Sequence, residues 1–280
     1  MPKVRGAAGL LAIALLGGVA AAEQAPLPSA SVAAGSASAT AAAHADNAGN
    51  APPGAAVPAA APLSAELVKT GLYLISGGGS NTLMRLSASG TIVVDGKLPG
   101  QYRPLMSQMR RINKLSDLPT RVLIVTDHHP QHSGNVPQFV AAGVAVLVQD
   151  HAKSRLPAIP APAASASRAP GPVVGFDRDY KLRMGGVEVQ VFHYGPGHTD
   201  NDAVFYFPDL QVIAVGDLLT AEVPVPDVAA GGSLVGWRAA LEQVLKLDFE
   251  IVVPSTGPLA TRADLQAFKA RLDTLISVGG

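Results

Sequence analysis

The sequence predicts an α/β protein in which helices cover two sheets as separate layers. Short apolar runs with strand character recur between turns from residue 72 to residue 253. Segments with helical spacing separate several of these runs, and one more helical segment lies near the end of the chain. Polar side chains follow some of the strand-like runs. Helices that flank two sheets, with donor groups at strand ends, are typical of a layered α/β sandwich.

The first 62 residues are predicted to be an export signal and a linker. Lys3 and Arg5 precede an apolar run over residues 9–20, and alanines at 20–22 suit cleavage, so residues 1–22 indicate a signal peptide. A transmembrane anchor is the alternative, but the apolar run is short for a bilayer. Residues 23–62 are rich in Ala, Pro and Ser, which is typical of a disordered tether. We therefore expect a periplasmic or secreted protein, without stable membrane insertion after signal cleavage.

The globular domain is predicted to cover residues 63–280. Its first half alternates strands with helices. The predicted strands are 72–75, 82–86, 91–94, 121–125 and 144–148. Apolar residues recur at helical spacing within 101–115, and a shorter helix is expected at 136–142. Residues 156–172 are rich in Pro and Ala, which predicts a surface insertion, expected to border the functional pocket.

The second half of the domain begins with alternating strands and ends in helices. The predicted strands are 180–184, 187–192, 203–207, 212–215 and 251–253. The predicted helices are 234–247 and 263–276, the latter with Thr261 near its cap.

Composition excludes several classes of partner and site. The formal net charge is zero and only 15% of residues are charged, so nothing favours binding to nucleic acid. The chain has no cysteine, which excludes disulfides and thiolate ligands. Any metal site must therefore use His, Asp, Glu or weaker oxygen donors. The oligomeric state is left open.

Residues 126–134 are the most informative segment, with the sequence Thr-Asp-His-His-Pro-Gln-His-Ser-Gly. They hold three of the seven histidines of the chain, directly after the apolar run 122–125. A strand fixes the backbone at such a position, and the loop after it turns several donors toward one point. The segment therefore predicts a metal site.

The same segment resembles the T-H-x-H-x-D-H-x-G-[GN] motif of the metallo-β-lactamase superfamily. Further segments resemble the family in the same order: Asn81, Val94-Asp95-Gly96, Gly195 to Asp200, Ala214 to Asp217, a Gly-Gly-Ser loop after Pro226-Asp227, and Val253 to Gly257. The resemblance covers residues 63–280 and implies a four-layer αββα sandwich that acts as a metal-dependent hydrolase, commonly with two zinc ions.

Carried over by position, the resemblance implies one metal site at Asp127, His129 and His198. It implies a second site at Gln131, His132 and Thr256, with Asp217 between the two. Asp127 replaces a histidine of the family and remains a good donor. Gln131 and Thr256 are weak neutral donors, so the expectation is a single ion, zinc or alternatively iron.

The catalytic candidates are Asp127, Gln131 and His128. In the family an aspartate at the position of Gln131 orients the attacking water, and an amide cannot take up a proton at neutral pH. Asp127 or His128 could take over that task, and the sequence does not choose between them. Asp95 is expected to support a ligating histidine.

Three functions compete at this point. The first is an exported hydrolase that uses metal-activated water on a small-molecule ester, thioester, lactone or amide. The second is a binding or sensing protein that has kept the fold and lost catalysis, which Gln131 and Thr256 favour. The third is a mononuclear iron oxygenase, because two imidazoles and a carboxylate suit Fe(II).

Overall fold

We describe the protein from a computed structural model that covers residues 62–114, 117–161 and 168–279. The predicted signal peptide and nearly all of the predicted linker lie outside the described residues. Within the described part of the chain, no helix is both long and apolar enough to span a membrane.

The first sheet has seven strands in the order β1-β2-β3-β4-β5-β6-β7. Its strands are β1 Ser64–Lys69, β2 Leu72–Ser76, β3 Thr82–Ser87, β4 Gly90–Val94, β5 Thr120–Ile124, β6 Ala145–Gln149 and β7 Val173–Phe176. Pairing is antiparallel from β1 to β4 and parallel from β4 to β7. The carboxyl ends of β4, β5 and β6 therefore lie side by side at one edge of the sheet.

The second sheet has six strands in the order β13-β12-β11-β10-β9-β8. Its strands are β8 Asp179–Met184, β9 Val187–Phe192, β10 Val204–Phe207, β11 Val212–Gly216, β12 Ile251–Pro254 and β13 Ala260–Thr261. β11 and β12 are parallel, while the other neighbours are antiparallel. The carboxyl ends of β11 and β12 therefore lie side by side at one edge of this sheet.

Among the described residues, six α-helices accompany the sheets: α1 Tyr102–Ile112, α2 Pro130–Ser133, α3 Val136–Ala141, α4 Asp150–Lys153, α5 Leu234–Val244 and α6 Arg262–Gly279. A 3₁₀ turn at Val228–Ala230 lies before α5. The short helices α2 and α4 each begin shortly after a parallel strand of the first sheet, which places α2 within the segment that predicts a metal site.

Three apolar clusters define four layers. The central cluster joins inward side chains of both sheets, such as Ile124 and Phe205. A second cluster packs α1 and α3 on the outer face of the first sheet, and a third packs α5 and α6 on the outer face of the second. Each inner strand presents alternate residues to the two clusters that flank it, as the pleat requires. The predicted α/β, αββα sandwich is confirmed.

The elements absent from the sequence-based prediction are short or lie at sheet edges. β1 is an edge strand with largely exposed side chains, and its sequence Ser-Ala-Glu-Leu-Val-Lys gives little apolar signal. β7 is also an edge strand, and it directly follows the Pro/Ala-rich segment. Edge strands bury one side only in part, so hydrophobicity identifies them poorly.

Part of the segment 156–172 lies away from the carboxyl ends of the strands, where the candidate metal ligands follow. Arg168 Nη1 donates to the carbonyl of Ala142, and Gly171 N donates to the carbonyl of Val140. Both contacts are at the amino end of β6. This part of the segment therefore lies at the opposite end of the strand from α4, and for the rest of the insertion a place beside the pocket stays a prediction.

Candidate metal centre

Asp127 and His129 are positioned by the end of β5. Asp95, which follows the neighbouring strand β4, adopts a φ of +65° and accepts a hydrogen bond from Thr126 N at 2.8 Å. His129 N donates to Asp127 Oδ1 at 2.7 Å. These bonds tie the loop after β5 to the end of β4, and the His129 ring lies beside Asp217, which follows β11 of the second sheet.

His132 is turned inward by the short helix α2. Pro130 begins this helix, and Ser133 Oγ donates to the carbonyl of His128 at 2.7 Å. The His132 ring is fully buried, with Nδ1 2.8 Å from Asp95 Oδ2. A carboxylate on the far nitrogen of a ligating histidine fixes the ring and its tautomer. The expected supporting role of Asp95 is thus matched by this contact.

His198 comes from the loop between β9 and β10. Thr199 N and Oγ1 donate to the two oxygens of Asp202 at 2.9 and 3.0 Å, which closes a tight turn behind the histidine. His198 Nδ1 donates to the carbonyl of Val225 at 3.0 Å, leaving Nε2 directed at Asp217 Oδ2, 3.8 Å away.

Asp217 follows β11 and lies at the centre of the cluster. Gly216 adopts a φ of +52°, and a side chain on it would run into Thr126. The glycine therefore lets the loops after β5 and β11 approach each other. Asp217 Oδ2 lies 3.5 Å from His129 Nδ1, and Asp217 Oδ1 lies 3.2 Å from His132 Nε2.

The structure brings the predicted donors together in overlapping groups whose ligand atoms lie within 4.8 Å of one another. These groups are Asp127-His128-His129, His129-His198-Asp217 and Asp127-His132-Asp217. An ion bound tetrahedrally at zinc-like distances separates its donors by about 3.3–3.6 Å. Five histidine–carboxylate pairs of donor atoms lie 3.2 to 3.8 Å apart, which is close to that spacing.

Two buried atoms support a fit to a cation. Asp127 Oδ2 and His129 Nδ1 have no hydrogen-bond partner, although both are shielded from water. Leaving such atoms unsatisfied is costly, and a bound cation would satisfy both. The donor set and these two atoms therefore fit a metal ion.

The pKa shifts of two histidines indicate that the cluster favours positive charge. Burial alone would lower the pKa of His129, but the neighbouring carboxylates of Asp127 and Asp217 outweigh it and raise that pKa to about 11. Burial likewise opposes protonation of His132, and the carboxylates of Asp127, Asp95 and Asp217 raise its pKa well above the usual value. Metal ions and protons compete for the same nitrogen atoms.

Two of the three positions that depart from the family pattern carry neutral side chains, and these two behave differently. Gln131 still points into the cluster, where its Nε2 donates to Asp217 Oδ2 at 3.2 Å. The hydroxyl that reaches His132 Nε2 is that of Ser255, at 3.2 Å, one residue before the expected Thr256. Ser255 is held in place because Asn81 N donates to its carbonyl oxygen at 2.6 Å.

His128 lies beside the cluster with its ring stacked on His129, centroid to centroid 4.6 Å. Its backbone N donates to Asn201 Oδ1 at 3.0 Å, and its Nδ1 lies 3.1 Å from Asn201 Nδ2. Burial lowers the pKa of His128, and the neighbouring His129 lowers it further. A half-buried, neutral imidazole is therefore available at the edge of the cluster.

Neither the contact of Asp227 with the cluster nor the burial of Lys97 was predicted from the sequence. Asp227 Oδ2 lies 3.2 Å from His129 Nε2, while Asp227 N donates to the carbonyl of His198 at 2.8 Å. Lys97 is fully buried, and its Nζ donates to the carbonyls of Ile75, Gly77 and Ser80 at 2.9, 2.7 and 2.6 Å. The Pro-Asp-…-Gly-Gly-Ser segment marks Asp227, but no local pattern marks Lys97.

Comparison with known proteins agrees with this geometry. The family model described as the metallo-β-lactamase superfamily matches residues 75–256, which is more than half of the chain.

The chain belongs to the metallo-β-lactamase superfamily.

Individual relatives are distant. A metallo-β-lactamase type 2 from Bacillus sp. (strain 170) is 24% identical over 186 residues, which are 65% of this chain and 68% of the relative. A metallo-β-lactamase from Pontibacter korlensis superposes with a TM-score of 0.62 at 20% identity, covering 75% of this chain and 99% of that one. The metallo-β-lactamase FIM-1 from Pseudomonas aeruginosa, solved in a mono-zinc form, superposes with a TM-score of 0.61 at 18% identity. The match covers 77% of this chain and 96% of that one.

At these identities the solved structures establish the fold. The superfamily fold, together with the cluster of donors at its strand ends, supports a metal-dependent hydrolase in general.

Proposed function

We propose that the protein is an exported hydrolase that holds one metal ion, most simply zinc, and cleaves an ester, thioester, lactone or amide. The observation that carries this proposal is the donor set at the open end of the cluster. His129 and His198 are 19% and 20% exposed, so a substrate can reach them, while Asp127 and Asp217 behind them are buried. A zinc ion there would polarise a carbonyl and lower the pKa of a coordinated water.

The protein's own residues would orient the two imidazoles. The carboxylate of Asp227 fixes the far nitrogen of His129, and the carbonyl of Val225 fixes that of His198. Such contacts set the ring orientation and tautomer of a ligating histidine. Both come from the segment between β11 and α5, so this segment would determine the geometry of the open end.

Proton transfer falls to His128 in this proposal. Gln131 donates its amide hydrogen to Asp217 and cannot accept a proton. Asp127 Oδ1 already accepts a hydrogen bond from His129 N. His128 has a ring nitrogen within 4.8 Å of the ligand atoms of Asp127 and His129. It is also the basic side chain of the motif held at the side of the cluster by Asn201.

An apolar surface beside His198 favours a substrate with an apolar acyl or alkyl group. Val223, Val225, Val228 and Val235 are 67, 66, 75 and 55% exposed and share the segment before and into α5. The backbone of this segment contacts His198 directly through Val225. Exposed apolar side chains grouped beside a site are typical of ligand-binding surfaces.

The proposal is tested by metal content and turnover together. The full-length protein is purified without chelator, analysed by elemental mass spectrometry and assayed on ester, thioester, lactone and amide substrates of increasing acyl length. Zinc and hydrolysis that are both lost in His198→Ala, and both retained in His151→Ala, are the expected results. Wild-type turnover that His198→Ala leaves unchanged would refute the proposal.

Gln131 favours one alternative, a binding or sensing protein without catalysis. This alternative is correct if the wild type binds ligand equally well with and without chelator and hydrolyses none of the substrates. The double variant Gln131→Asp with Thr256→His should then gain activity. An iron oxygenase remains the third candidate, because two imidazoles and a carboxylate suit Fe(II). One iron per chain together with oxygen uptake would identify it.

A further inference from the structure

Lys97 is a buried charged residue that belongs to none of the donor groups of the metal centre. Its side chain is fully enclosed, and its Nζ donates to the backbone carbonyls of Ile75, Gly77 and Ser80 at 2.9, 2.7 and 2.6 Å. An ammonium group has three hydrogen atoms to donate and accepts none. The three carbonyls therefore match the ammonium group in number as well as in distance.

The carbonyls converge because the loop between β2 and β3, residues 77–80 and here called the glycine loop, closes around the lysine. Gly78 adopts a φ of +66°, and a Cβ on it would lie only 3.0 Å from Lys97 Cδ. Glycine therefore allows the loop to pack on the lysine stem. Leu98 N donates to the carbonyl of Gly78 at 3.1 Å and holds the loop from the same side. Backbone carbonyls that converge on one point are the ligands that K⁺ takes in selectivity filters.

The glycine loop is joined to the helix α2 of the metal centre. Ser80 Oγ donates to the carbonyl of Gln131 in α2 at 2.7 Å. Directly before Lys97, Gly96 N donates to the carbonyl of His132, also in α2, at 2.7 Å. Lys97 therefore connects the glycine loop to a segment that contacts α2, and the loop itself contacts α2 a second time.

These contacts require the charged form of the lysine. Burial lowers the pKa of Lys97 to about 7, and the carboxylate of Asp95 acts in the opposite direction. A neutral amine has two hydrogen atoms and a lone pair, so it would leave one carbonyl unsatisfied and direct the lone pair at an oxygen. An uncharged side chain of similar length would fill the space and lose all three hydrogen bonds.

We propose that Lys97 is a positioning residue whose tethered ammonium group takes the place of a bound monovalent cation and holds the glycine loop and α2 beside the metal centre. The three carbonyls should then accept a free alkylammonium ion once the lysine is removed. Lys97→Ala keeps Cβ and removes three carbon atoms with the amine, which together correspond to propylammonium. The effect on zinc rests on the proposed function, whereas the effect on the loop does not.

The experiment is a chemical rescue of Lys97→Ala in the full-length, metal-free protein, in slightly acidic buffer where wild-type Lys97 is protonated. Amide hydrogen exchange is followed by NMR at Leu98 and Asn81 beside the loop, and at His132 and Ser133 in α2. Exchange should be about tenfold faster than in wild type, because local opening becomes easier, and propylammonium should restore it in a saturable way. 1-Propanol has no charge and tetramethylammonium cannot donate a hydrogen bond, so neither should restore it.

The exposed Lys153→Ala is the matched control. It should exchange like wild type, with or without propylammonium. Wild-type exchange in Lys97→Ala without any additive would overturn the proposal. Equal protection of Lys97→Ala by propylammonium and by 1-propanol would also overturn it, because the site would then respond to filled space and not to charge.

Ser80→Ala provides a test that does not depend on the folding of Lys97→Ala. It leaves the three carbonyls and the ammonium group in place and removes only the hydroxyl that donates to Gln131. Leu98 should keep its wild-type exchange, while the α2 amides should exchange faster and zinc should bind about tenfold more weakly. Unchanged exchange in α2 would overturn the proposal. A wild-type protein that binds no zinc but shows the expected exchange in both variants would refute only the proposed function.

Discussion

The two ends of the donor cluster are built differently. At the buried end, His132 is fully enclosed and held by Asp95 from the end of a neighbouring strand. At the open end, His129 and His198 are partly exposed and held by Asp227 and the Val225 carbonyl, both from one loop segment. Strand ends are rigid because each is paired on both sides, while a loop segment can differ in sequence without disturbing the sheets.

The contrast between the two ends indicates that one cluster serves two purposes. The buried end concentrates negative charge in a fixed frame, so changes there should first reduce stability. The open end meets solvent and substrate, so changes there should first reduce activity or ion affinity. Substitutions at each end can test whether stability and activity separate in this way.

The largest effect is expected for His129→Ala at the open end. Hydrolysis should fall by about 10⁴-fold, equivalent to about 5.5 kcal/mol of transition-state stabilisation, because the variant removes a central donor of the proposed ion. Turnover and metal content are measured together, with circular dichroism to verify the fold. His151→Ala, whose ring is 61% exposed, is the control and should match wild type. Retained zinc in His129→Ala would contradict the prediction.

Asp95→Ala at the buried end should lower the free energy of unfolding by about 3–5 kcal/mol, because His132 would lose its partner while remaining buried. Urea unfolding of the chelator-treated protein measures this. The exposed Asp179→Ala should change stability by less than about 0.5 kcal/mol. If both variants are equally stable, the buried end is not the rigid frame described above.

Asp227→Asn should weaken zinc binding by about 10- to 100-fold without loss of fold, because the carboxylate that orients His129 is replaced by a neutral amide. Asn can still accept the hydrogen bond from Ala230 N that Asp227 Oδ1 accepts at 3.0 Å. Competition with a chromogenic chelator gives the affinity. An unchanged affinity would show that His129 keeps its orientation without this contact.

The smallest effect is expected for Val228→Ser on the exposed apolar surface. It should raise the KM for a long-chain ester by at most about fivefold, since part of one valine contact contributes about 1 kcal/mol or less. The KM for the shortest ester should not change. An equal rise for both esters would indicate that Val228 acts on the site generally and does not contact the acyl chain.

Much of this organisation can be predicted from local sequence. Short continuous apolar runs predict the inner strands, because both faces of each strand pack against apolar clusters. The run of donors after residue 125 predicts where a metal centre lies, because the end of a strand fixes the position of the residues directly after it. The exported location and the single-ion expectation remain predictions.

Other contacts could not be predicted because they depend on chain segments far apart in sequence. Lys97 is charged and has no local signal for burial, yet three carbonyls from the end of β2 and the loop after it enclose its Nζ. Ser255 reaches His132 across 123 positions of the chain, and only the register at the end of β12 selects it over Thr256.

The layered fold, the superfamily and the identity of the central donors were all available from the sequence, since they depend on periodicity and on a compact motif. How the oxygen atoms of those donors are directed became visible only in three dimensions. The directions in which the two oxygens of Asp127 and of Asp217 point depend on the angle between two sheets and on distant partners such as Asp95 and Asp227. No local pattern encodes those directions, because they arise only when the strand ends meet.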